Sequence, residues 1–103
     1  MKNQLKIIQT WIDGEYDKAI NSLKEQPVIV QYYLVKGLKL ANQKTFYAAF
    51  NTGTRGNVQN RMDFIKNILV EVYDYKTGPK DNYNTAYKGM GNIDAYATAI
   101  KAL

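Results

Sequence analysis

The sequence predicts an all-α fold: a small bundle of about five or six helices built from stacked antiparallel hairpins, with an irregular segment before the last helix. Two observations predict it. Apolar residues recur at steps of three and four through most of the chain, the spacing that lines one face of an α-helix. Three stretches also share the order aromatic, any, any, alanine, apolar: Tyr16 with Ala19 and Ile20, Phe46 with Ala49 and Phe50, Tyr96 with Ala99 and Ile100. Small-against-large spacing of this kind suits helices packed side by side. At 103 residues the chain reads as a single domain, 1–103, long enough to bury a core without cross-links.

The first helix spans about 3–12, with Leu5, Ile8 and Ile12 on one side and Ile7 and Trp11 broadening it. It stops at Asp13 and Gly14. Residues 15–26 form the second, with Tyr16, Ala19, Ile20 and Leu23 inward, Asp13 as N-cap, and Glu15 and Asp17 in a first turn where the dipole favours negative charge. Asp13, Glu15 and Asp17 alternate as calcium ligands do, but the central glycine and bidentate glutamate of a calcium loop are missing, and helix capping is the better reading. Pro27 suits the first position of a third helix running to about Asn42, with Val30, Leu34, Leu38 and Ala41 as its core face. Gly37 there allows a neighbour to approach closely. Residues 28–35, VIVQYYLV, are also β-branched and aromatic enough for a strand. The pattern lasts about four turns, long for a strand, and favours helix. Tyr32, Lys36, Lys39 and Gln43 follow one another along another face.

A short helix over 45–50 points Phe46, Ala49 and Phe50 the same way. Residues 51–57, NTGTRGN, then favour a turn, because two glycines and several side chains that bond their own backbone interrupt a helix. Asn57 is the expected N-cap of the most regular helix in the chain, whose face comprises Val58, Met62, Ile65, Leu69 and Val72, widened by Phe64 and Ile68. It fades near Tyr75. Residues 76–91 show no sustained period, and Gly78 and Pro79 break any helix there. Asn92 caps a last helix carrying Ile93, Tyr96, Ile100 and Leu103, with Asp94 early and Lys101 late.

Two stretches resemble known families. Gly37, Phe46 and Ala49 have the spacing of the small, aromatic and alanine positions of tetratricopeptide repeats, and GEYDKAI at 14–20 resembles the opening of their second helix. The resemblance covers about half the chain, with Ile7 where a small residue belongs, and implies stacked helical hairpins. TGTRGNVQNRMDFI resembles the glycine turn and second helix of SAP-type DNA-binding motifs. The lysine and leucine pattern that precedes that turn is missing here, and no residue roles are carried over.

Composition removes most catalysis. Without cysteine there is no disulfide framework or thiolate metal site, and without histidine the usual general base and metal ligand are gone. Ser22 is the single serine and has no histidine to activate it; the glycine turn lacks the Gly-Lys-Ser/Thr of a Walker loop. Asp63 and Glu71 read as a solvated face rather than an acid and base. A tyrosine nucleophile would have only Arg55 and Arg61 to assist it. The expected protein is no enzyme and uses no cofactor or metal. No apolar run is long enough to span a bilayer and no signal-peptide order opens the chain, so a cytoplasmic protein with no membrane partner is expected.

Charge is what remains. The net charge of +5 falls entirely within 26–70, where Lys36, Lys39, Lys44, Arg55, Arg61 and Lys66 face Asp63 alone. Twelve lysines against two arginines are also what AT-rich coding produces. Arg55 beside the free amides of a helix N-terminus is a physical recipe for holding an anion, and Asn57 and Arg61 share its edge one turn on. Lys80, Tyr83, Tyr87 and Lys88 have the ring-and-cation composition of a stacking surface for single strands. The expected function is therefore a small non-catalytic accessory factor that binds nucleic acid, or a nucleic-acid-containing complex, through its basic centre. The alternative is a helical-hairpin protein-interaction module or inhibitor, of the kind a phage or mobile element encodes, with an apolar groove and tyrosine anchors for a protein partner.

Overall fold

A computed structural model describes residues 2–74, 78–79 and 92–103, with side chains over 3–70 and 92–103. The fold is the expected all-α bundle. Its helices are α1 Lys2–Ile12, α2 Tyr16–Lys24, α3 Val28–Ala41, α4 Gln43–Asn51, α5 Arg55–Lys66 and α6 Ile93–Lys101. The α5 helix continues without a break into a π-helical segment, Asn67–Val72. A two-residue antiparallel pairing, Tyr73 with Pro79 and Asp74 with Gly78, follows it. The rest of the stretch expected to be irregular, 76–91, lies outside the described residues.

Helix α3 is the centre of the bundle. From Ile29 through Val35, and again at Gly37 and Leu38, every residue is buried. A helix apolar all round must be covered all round, and α1, α2, α4, α6 and the π segment all pack on this one. The β-branched run at 28–35 is thus helical. Tyr32, expected on an outward basic face, is instead buried, its ring edge-on to Tyr33 at 5.8 Å.

The helix ends show which local signals operate. Helix α1 closes on itself in a Schellman turn, with Glu15 N–H donating to the Thr10 carbonyl and Gly14 N–H to that of Trp11. Asp13 does not cap α2: Glu15 holds the N-cap position without a side-chain bond, and Asp13 accepts from Gln9 at 2.9 Å. Pro27 precedes α3 as its N-cap residue rather than opening it. Asn42 caps α4 by accepting from Thr45 N–H at 3.0 Å, and Asn92 caps α6 in the same way through Ala95 N–H at 2.9 Å. The C-terminal carbonyls of α2 are closed from elsewhere. Buried Gln31, on α3, donates Nε2 to the carbonyls of Lys24 and Gln26 at 3.2 and 2.8 Å.

The most extensive helix pair is α3 with α6, and it turns on Gly37. A Cβ built there would meet Ile100 Cδ1 at 3.1 Å, Tyr96 Cβ at 3.2 Å and the Ala97 amide nitrogen at 3.5 Å. Two of those three atoms belong to the opposing helix's backbone or stiff base, so the space cannot open by rotating a side chain. Gly37→Val therefore overpacks the joint and should cost about 1–3 kcal/mol or more in chemical denaturation; unchanged stability would mean that α6 docks less closely than described.

Candidate interaction site

Two features occupy the surface formed by α2, α4 and α5. One is an ion pair whose cation is buried. The other is an apolar groove beside it.

Arg61 is 5% exposed. Its Nε donates to Asp17 Oδ1 at 2.7 Å and its Nη2 to Asp17 Oδ2 at 2.8 Å, a bidentate pair between α5 and the first turn of α2. Nη1 donates to the carbonyls of Ala49, at 2.6 Å, and Thr52, so the same guanidinium closes the C-terminus of α4, where the helix dipole favours a cation. The Tyr16 ring lies 5.5 Å from the guanidinium carbon. The turn between α4 and α5 bends around this group. Gly53 has φ +110°, and a Cβ there would stand 2.9 Å from Arg61 Nη2, so glycine is demanded by both backbone and space. Hydrogen bonds from Arg61, reinforced by its charge and only partly opposed by desolvation, hold the Asp17 carboxyl below its ordinary 3.8.

This arrangement corrects the expected phosphate edge. Arg61 is not presented to a ligand, because its polar atoms are spent inside the fold. Helix α5 begins at Arg55, with Thr54 as N-cap residue, so Asn57 is a first-turn residue and not the cap. Its Nδ2 lies 3.5 Å from Asp17 Oδ2. The anion that Asn57 and Arg61 face is the protein's own carboxylate.

The other expected site residues are scattered. Lys44, Arg55 and Lys66 are exposed, on α4, at the start of α5 and at its end. Lys36 and Lys39 are half-buried on α3, and Lys39 sends its Nζ over the Phe46 ring, 5.9 Å from the centroid. Lys80, Tyr83, Tyr87 and Lys88 lie outside the described residues.

The groove was not foreseen as a located surface. It runs between α4 and α5 into the π segment, holds about 420 Å³, and is lined by Phe46, Tyr47, Phe50, Met62, Ile65, Leu69 and Val70, with Lys39 and Lys66 as its charged members. Its outer residues are open to solvent: Tyr47 and Met62 are each 45% exposed and Val70 is 62% exposed. Its floor is tied to the core. Buried Trp11 stacks on Phe46 at 6.0 Å, and Phe46 in turn meets Phe50 and Tyr47 edge-on at 5.4 and 4.9 Å. Met62 was expected inward. One sequence signal for the true phase exists: Arg61, Ile65 and Ile68 stand at i, i+4 and i+7, and these are the buried positions.

Comparison with known proteins gives no matching family model, no similar curated protein and no similar solved structure.

Removing the clip has a defined cost. Arg61→Ala strips charge-assisted bonds from Asp17 and uncovers two helix-end carbonyls, which should cost about 2–3 kcal/mol and lower Tm by roughly 10–20 °C. Arg61→Lys should recover little of this, because a single ammonium cannot make the bidentate pair and reach both carbonyls. Thermal melting of the two variants beside the parent checks it, and a native-like Tm for Arg61→Ala would contradict the clip.

The ion pair also sets an acid limit. Since the folded Asp17 binds its proton less readily than the unfolded residue, its contribution is fully present above about pH 3.8 and is lost as pH falls through the lower folded value. The Asp17 side chain is 52% exposed, so solvent screening keeps the effect modest. In denaturation at successive pH values, the stability gap between the parent and Asp17→Asn should be constant near neutrality and shrink below about pH 4.

Proposed function

We propose that this chain is a non-catalytic, cytoplasmic interaction module, an accessory or inhibitory factor whose working surface is the α4–α5 groove and whose partner is a protein segment. The observation that carries the reading is the contiguous apolar surface of Tyr47, Met62, Leu69 and Val70, left open over a floor fixed to the core. Exposed apolar patches with defined shape mark docking surfaces, and aromatic residues and methionine are the types enriched at interface cores. The absence of histidine and cysteine supports a role without chemistry. Among the described residues no helix is long and apolar enough to cross a membrane, and no three acidic residues gather as metal ligands.

Binding of nucleic acid remains the second reading. It is favoured by the exposed Lys44, Arg55 and Lys66, and weakened by the loss of Arg61 to the fold. The two readings separate on salt and on mutation. Contact with three or four duplex phosphates makes log affinity fall with log salt at a slope near three, whereas an apolar seat is far less sensitive.

The deciding comparison is affinity capture from nuclease-treated extract by the parent and by the Met62→Asp/Val70→Asp double variant, both substitutions being at exposed positions. A protein retained by the parent and lost by the folded variant is the expected result. Retention that instead requires nucleic acid and disappears in Lys44→Glu/Arg55→Glu would decide for the second reading.

A further inference from the structure

We infer that the α4–α5 groove takes an acidic amphipathic helix, its apolar stripe laid against Phe50, Met62 and Leu69 and its carboxylates directed at Lys39 and Lys66. The inference rests on the reading of the chain as a protein-interaction module and names the chemistry of the partner.

Charge supplies the first reason. Among the described residues, the charged groups lining the groove are both cations, Lys39 and Lys66. Asp63, the acidic residue of α5, does not line it and accepts a hydrogen bond from Gln59 at 2.8 Å on the same helix. Lys39 is positioned as well as present, since the Phe46 ring holds its ammonium at the groove edge without neutralising it. A partner segment lying between two such cations gains from carboxylates on both flanks and is opposed if it carries lysines there.

Size supplies the second. Along α5 and its π continuation the groove extends from Met62 to Val70, roughly 10–12 Å at about 1.5 Å per residue. An apolar stripe at i, i+4 and i+7 of a helix covers about the same distance. Other occupants fit less well. A nucleic acid offers phosphates to the lysines but nothing to the aliphatic wall of Met62, Leu69 and Val70. A second copy packed by a two-fold axis sets the same patch against itself, lysine rim against lysine rim.

The test uses the intact chain and two labelled synthetic helices of about 15 residues, identical in leucines at i, i+4 and i+7 and differing only in flanks of glutamate or lysine. Fluorescence anisotropy at low salt should show the glutamate peptide binding roughly two- to thirty-fold more tightly than the lysine peptide, the range two exposed ion pairs can supply. The preference should invert with Lys39→Glu/Lys66→Glu, and Val70→Asp should weaken the glutamate peptide by about tenfold or more. Equal affinity for the two peptides, a preference that does not invert, or indifference to Val70→Asp overturns the inference. So does self-association that blocks the groove, or a single-stranded oligonucleotide that displaces the peptide and is itself sensitive to Val70→Asp. If a captured partner is lost with the groove variant while the peptides show no charge preference, the acidic helix is overturned and the module stands; if neither capture nor peptide depends on the groove, both fall.

Discussion

A guanidinium taken out of water is the constraint on which this fold depends. Moving such a charge inside costs several kcal/mol unless its donors are matched closely. Arg61 meets the condition with four hydrogen bonds to acceptors from three places: the Asp17 carboxylate on α2 and the carbonyls of Ala49 and Thr52 at the end of α4. The burial is one-sided. Asp17 keeps about half of its side chain in water, so only one partner of the pair bears most of the desolvation. What the pair gives in return is geometry, because the acceptors can all be reached only when α2, α4 and α5 stand in one mutual arrangement.

The same device appears twice. Helices α2 and α4 have nine residues each, so nearly half of their carbonyls fall in a last turn with no intrahelical donor. Neither ends, as α1 does, in a Schellman turn that satisfies those groups locally. In both cases the next helix reaches back: Gln31 from α3 closes α2, and Arg61 from α5 closes α4. Short helices are marginal alone. Local bonds close part of these ends, from Glu25 N–H to the Ser22 carbonyl, Gln26 N–H to that of Leu23 and Thr52 Oγ1 to that of Ala48, and the buried polar side chains of the described core, Gln31 and Arg61, close the rest from other helices.

That division explains what was legible in the sequence. Signals settled by neighbours within a few positions carried through at the α1 stop at Gly14, the asparagine cap of α6 and most α-helical periods, though not at Asp13 or Pro27; the small residue at the α3–α6 joint was legible at Gly37, while its partners on α6 were not. The run at 28–35 was ambiguous because a helix buried on every side and a buried strand both present unbroken apolar sequence. Asn57, Arg61 and the phase of α5 were misread for one reason. The four-and-three spacing draws the apolar stripe through Val58 and Met62 and leaves Arg61, beside it, free for a ligand. Nothing local points from Arg61 to Asp17, which is 44 residues away. The edge expected to face a phosphate at Asn57 and Arg61 faces the protein's own carboxylate instead.

The clip and the groove are consequences of one rotation. Consecutive residues of an α-helix are separated by about 100° around the axis, so placing Arg61 toward α2 and α4, with Ile65 and Ile68 following on the buried side, fixes where the next residues go. Met62, one position on from Arg61, is carried out beside Tyr47, and Lys66, one position on from Ile65, is carried to the groove edge. Were Met62 inward, as the apolar pattern alone suggests, Arg61 would be in water and the wall facing Tyr47 would be rebuilt from other residues. The buried cation thus determines the position of the exposed apolar surface. It also reapportions the basic centre of the chain: one of its six cations is structural, and two of the others, Lys39 and Lys66, belong to the apolar groove. Part of the positive charge that first suggests nucleic acid therefore lies, at this surface, along an apolar groove.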